Sequence, residues 1–180
     1  MSRPYYYLIA SLTPLQFGTK PPLSSEEFLK YCREQLIAQD FASIEKIFNS
    51  DEYDGKIENE VLTAWQEFNH NLRNEIAWVR ALEANKDPQD YIRGGKNEDP
   101  AIVDTIAQAA EAPDPLIAEQ IIDRLRWNFL DDLTRFHYFD LEILLVYALK
   151  LKILERYQVI ESPRGKELFG EYTKVNIVLN

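Results

Sequence analysis

LIAEQIIDRLRWNFLDDLTRFHYFDLEILLVYALKLKILERY, residues Leu116–Tyr157, is the stretch whose reading decides the fold. Ile122, Leu125, Phe129, Leu133 and Phe136 recur at intervals of three and four, as do Leu141, Leu144, Leu145, Ala148, Leu151 and Leu154. That spacing is the apolar rhythm of helices that bury a wide face. The break at Phe136-His137-Tyr138-Phe139-Asp140 predicts two long helices joined as a central hairpin. Asp140 and Glu142 suit the positive start of the second helix, and Lys150, Lys152 and Arg156 suit its negative end. Asp140 also reads as that helix's N-cap.

The same rhythm extends outward. Val61, Trp65, Phe68, Leu72, Ile76 and Val79 predict a long helix from Ile57 to Asn85, closed by Asp87-Pro88. Asp99-Pro100 opens another, running to Ala112: aspartate caps it and proline fits its first turn. Ser24 with Glu27 three residues on is a capping-box pattern, ahead of Phe28, Leu29, Cys32 and Leu36. Asp40 reads as the cap of a further short helix with Phe41, Ile44, Ile47 and Phe48 turned inward. Tyr5 to Leu12 is short enough to suit strand or helix, and helix is favoured because no convincing second strand could pair with it. Asn49 to Gly55 reads as a turn without calcium-loop spacing. Ser162-Pro163 ends the central pair; Leu168, Phe169 and Tyr172 predict a short helix, and Val175 to Leu179 an extended end. All nine prolines fall in loops or at helix starts, so breakers and periodicity agree. The expectation is one all-α domain over residues 1–180, a multi-helix array built on the central hairpin, with a short N-terminal element at 4–13 and a C-terminal tail at 163–180.

Totals narrow the function. Hydrophobic residues make up 46% of the 180, enough for a packed core rather than disorder. Twenty basic against thirty acidic residues give a net charge of -10, which disfavours nucleic acid and anionic lipid and favours a basic partner surface. A lone Cys32 excludes an internal disulfide and any multi-cysteine zinc cluster. No apolar run approaches the roughly 20 residues a membrane span needs, and no secretory leader is apparent. A cytoplasmic protein is expected, without direct membrane insertion and without a cofactor.

Catalytic patterns are weak throughout. Glu67 and His70 form Glu-x-x-His on a helix, half of a di-iron carboxylate motif, but the second half is missing. A helical-bundle metal protein or enzyme using Glu67 and His70, with His137 as a further ligand, is the alternative reading. A hydrogen-bonded or exposed histidine is the plainer one. Arg93-Gly94-Gly95-Lys96 lacks the spacing of a phosphate loop and reads as a mobile connector. There is no Gly-x-Ser-x-Gly, and one cysteine with two histidines suggests no nucleophilic pair.

Two strings carry a resemblance: Tyr5-Tyr6-Tyr7-Leu8-Ile9-Ala10-Ser11-Leu12, and His137-Tyr138-Phe139-Asp140-Leu141-Glu142. The second is followed by Tyr147-Ala148-Leu149-Lys150-Leu151 and Leu154-Glu155-Arg156-Tyr157. They resemble a small bacterial family of unassigned function encoded within V/A-type ATPase operons. More distantly, the helical pattern is similar to the C (or d) subunit that caps the central stalk of those machines, though this chain is far shorter. The resemblance implies a non-catalytic subunit or assembly factor binding the ATPase soluble sector or central stalk, and it carries no catalytic residue over to this chain, because the family has none assigned. Tyr5, Tyr7, His137, Tyr138, Phe139 and Glu142 are the expected contact residues, and the hairpin is also a candidate homodimer surface.

Overall fold

The computed structural model describes residues 4–49 and 59–161, with the side chains of 159–161 left out of the description. The described residues form seven α-helices and one short 3-10 turn, with no strand among them. The all-α expectation therefore holds. The turn expected at Asn49 to Gly55 falls largely outside the described residues, and everything expected from Ser162 onward falls wholly outside them. No described helix is long and apolar enough to cross a membrane.

The helices are α1 (Tyr6–Ser11), α2 (Ser25–Gln35), α3 (Ala38–Asn49), α4 (Glu60–Glu83), α5 (Pro100–Ala110), α6 (Pro115–Leu133) and α7 (Leu141–Glu161). They form two compact units: Met1–Asp51 with Phe139–Asn180, and Glu52–Tyr138. The helices on either side of the 136–140 junction fall one in each unit.

In the first unit, α7 packs against α2 and α3, and α1 against α2. Leu144, Leu145, Ala148 and Leu151 have no exposed surface, and Val146 and Leu149 are buried as well. At 100° per residue, burial of three consecutive positions covers more than one face. A helix apolar nearly all round belongs in a core. Phe28 of α2 stacks on Tyr147 at 5.1 Å between ring centroids. The capping box at Ser24 forms in full, and the Ser24 backbone N–H, then its hydroxyl, hold the Glu27 carboxyl below its ordinary range. Two polar ties bind α7 to its neighbours. The Ser25 N–H donates to Glu155 at 2.6 Å, and Lys152 donates to the Ile47 carbonyl at 2.9 Å. Lys152 thus satisfies an open carbonyl near the end of α3, a role that the dipole reading of its own helix did not suggest.

The second unit packs α5 against α4 and α6. Phe68, Leu72, Ile102, Ile106, Ala109 and Ile122 form its buried cluster. Phe68 and Phe129 lie face to face at 4.1 Å, with Trp65 stacked at 5.9 Å from Phe68. Asn59, Asp99 and Asp114 cap α4, α5 and α6 with their side-chain oxygens. Two expectations are corrected. Asp40 lies in the first turn of α3 rather than ahead of it, and its carboxylate accepts from the Tyr5 hydroxyl. Phe136 is 90% exposed instead of continuing the α6 stripe. The reason is that α6 stops at Leu133: Thr134 turns back onto Asp131 through both its N–H and its hydroxyl. A periodic side chain past the last helical turn no longer shares the helix's buried face.

Candidate functional site

Chain folding brings two remote strings together in the first unit. The Tyr5 backbone N–H donates to the Phe139 carbonyl, and the Tyr6 ring lies 4.8 Å from that of Phe139. Leu8 is the buried anchor of α1, at 1% exposure, and Tyr5 three residues before it shares its face. Tyr5 is correspondingly buried and tied to Asp40 of α3. Its role is to hold α1 in place, and it presents almost no surface.

Tyr6 and Tyr7 point the other way. Tyr7 is 89% exposed and Tyr6 56%, and Phe139 is exposed too. Sequence reasoning singled out Tyr5 and Tyr7 and passed over Tyr6. Within a run of three tyrosines only the helix phase separates buried from exposed, and a six-residue helix has too few turns to reveal its phase. Glu142 stands in the first turn of α7, half-buried. The Asp140 carboxylate accepts from the Ile143 N–H at 3.4 Å, as an N-cap would. The arrangement offers exposed aromatic faces next to a negatively charged helix start.

In the second unit, Tyr138 is exposed and His137 half-buried, the latter's N–H donating to the Thr134 carbonyl. The two residues of the Glu-x-x-His motif, Glu67 and His70, are both exposed. His70 Nε2 lies 3.0 Å from the Arg93 carbonyl oxygen, the distance of a hydrogen bond with that nitrogen protonated. Asn74, buried one turn further along α4, holds the same carbonyl. Its amide donates to the Arg93 carbonyl at 2.8 Å and accepts from the Arg93 N–H at 3.2 Å. A side-chain amide that mimics a peptide partner pins the following segment onto α4. Lys96 adds a cation over the Trp78 ring at 5.0 Å. The stretch expected as a mobile connector is therefore tied down at Arg93 and Lys96, with Gly94 in the left-handed region at φ +82°. The Arg93 backbone N–H and carbonyl are both engaged by Asn74.

No curated protein and no solved structure matches the chain significantly. A family model described as "Protein of unknown function (DUF2764)" does match, from within α5 through α6, the 134–140 turn and α7, so that a domain of this family is found at residues 104–175.

Proposed function

We propose that this protein is a non-catalytic subunit or assembly factor of a bacterial V/A-type ATPase, binding its soluble sector or central stalk through the aromatic corner of Tyr6, Tyr7 and Phe139. One observation carries the reading. The two strings that resemble the ATPase-operon family, at 5–12 and 137–142, lie far apart in the chain, yet Tyr5 and Tyr6 sit against Phe139. A corner assembled from remote strings with its rings left facing outward is costly to keep unless something covers it. Tyrosine and phenylalanine are the residue types that anchor protein interfaces. A net charge of -10 supports a partner whose facing surface is basic.

The test is recovery of partners by the tagged full-length chain from cells that contain the ATPase, at low and at moderate salt. Wild type should retain ATPase subunits. Tyr7→Ala should lose them while its thermal midpoint stays that of wild type, because Tyr7 contributes little burial. Failure to recover any ATPase subunit at either salt concentration would sink the proposal.

A further inference from the structure

The second unit carries a cleft that none of the preceding function uses. It has a volume of about 520 Å³, inside the rough range of 300–1,000 Å³ typical of small-molecule sites. One face of α4 makes its floor. Residues 73, 76, 77, 80, 81 and 84 are spaced three and four apart and so lie in one stripe. Arg73 and Arg80 stand along that stripe, with Ile76 and the small side chains of Ala77 and Ala81 beside them.

The far wall comes from the turn after α4, and its shape depends on one unusual residue. Asn85 has φ +54°, in the left-handed region that asparagine tolerates better than most side chains. That conformation lets the Lys86 N–H return to the Ala81 carbonyl at 2.9 Å, closing the helix in a Schellman pattern. Lys86 is thereby swung over the Tyr91 ring, its ammonium 5.5 Å from the centroid, and both line the cleft. Tyr91 remains 50% exposed, an aromatic face with room against it. Glu119 of α6 is the single carboxylate in the lining.

Three cations against one carboxylate is the reverse of the chain's own balance, 20 basic to 30 acidic. Positive charge gathered in a concave site, over an apolar floor and beside an aromatic ring, has a chemical complement. We propose that this cleft binds a small organic anion, with an acidic head held by Arg80 and Lys86 and an apolar or aromatic body laid along Ala77 and Ala81 against Tyr91. An anion alone would leave the floor uncovered; a neutral aromatic would bring no opposite charge to Arg80 and Lys86.

Three probes separate these contributions on the isotope-labelled full-length chain, read by amide chemical shifts. 1-Naphthalenesulfonate has both charge and body, inorganic phosphate charge alone, and 1-naphthalenemethanol body alone. The sulfonate should give saturable shifts clustered between residues 73 and 91, with the other two weaker by about tenfold or more. The double variant Arg80→Gln, Lys86→Gln should weaken sulfonate binding by a similar factor with unchanged thermal midpoint. Ala77→Leu, which narrows the floor without touching charge, should weaken it too. Absence of saturable shifts at millimolar sulfonate overturns the proposal, as does equal binding of the neutral alcohol. Shifts centred elsewhere in the chain do the same. These wild-type outcomes decide the matter even should a variant fail to fold.

Discussion

Cys32 has no exposed surface, and burial pushes its thiol up to about 12. The reactive species is the thiolate, which is scarce at neutral pH under those conditions. Iodoacetamide at pH 8 should label the native chain very slowly and the chain in denaturant rapidly; fast native labelling would show that Cys32 is reachable. Glu75 is the opposite kind of buried group, charged in its ordinary state. It is 3% exposed with one carboxylate oxygen unpartnered, and burial pushes its carboxyl up against a smaller opposing pull from Lys96. A raised folded value means that the folded chain holds the proton more tightly than the unfolded one. Below the ordinary carboxylate range both states are protonated and the group is neutral in the balance. As pH rises through that range, the unfolded state ionises first and stability is lost until the folded group ionises too. Glu75→Gln should therefore melt higher than wild type at pH 7.5, by on the order of 2–4 °C for each kcal/mol relieved. The difference should shrink as pH falls to 4. A difference that grows on acidification would reverse the assignment.

Among single residues, the caps were the most legible. Ser24 with Glu27, Asp99 and Asp140 act within a few residues of themselves, so local spacing suffices to find them. Asn74 gave no comparable signal. Its partner Arg93 lies nineteen residues away, and an asparagine on a polar helix face looks solvated until the chain folds back over it.

At the scale of elements, α7 carries the strongest claim on stability. Leu144 has no exposed surface, and Leu144→Ala should destabilise the chain by about 2–5 kcal/mol in denaturant titration. A loss below roughly 1 kcal/mol would mean that the surrounding helices collapse into the space, or that the packing around α7 is looser than its burial implies. At the start of α2, Ser24→Ala removes the capping box and should cost about 0.5–2 kcal/mol, with loss of helicity confined to α2. Helix identity and approximate extent were legible because apolar spacing, caps and prolines all point the same way. Pro88, Pro100 and Pro115 each fall in the first turn of an ordered element, where a missing N–H costs nothing. The end of α6 was read too far because hydrophobic rhythm continues to Phe136 after the backbone has turned at Thr134. Periodicity reports a pattern of side chains and is silent on where hydrogen bonding stops.

For the whole molecule, the prediction concerns association. Tyr6→Ala and Tyr7→Ala change residues that are 56% and 89% exposed, so neither should lower the thermal midpoint by more than about 0.5 kcal/mol equivalent. Tyr5→Phe removes the hydroxyl that reaches Asp40 and should lower stability modestly, while leaving the exposed rings in place. A Tyr7→Ala variant that unfolds would place Tyr7 in the core and remove it from any interface. Of the two boundaries between the compact units, that at Asp51–Glu52 falls within the polar stretch Asn49 to Gly55, whereas that at Tyr138–Phe139 falls inside an aromatic run that carries no linker signal.

Sequence alone determined the helical class, most helix starts and the absence of a recognisable catalytic motif, because these depend on spacing within one or two turns. Tertiary structure decided what faces outward. It buried Tyr5 while exposing Tyr6 and Tyr7, set the distant Phe139 against Tyr5 and Tyr6, and gathered Arg80, Lys86 and Tyr91 around one cleft. Each of these rests on contacts between residues that local periodicity cannot relate. A side chain's exposure is set by whichever distant element comes to lie over it.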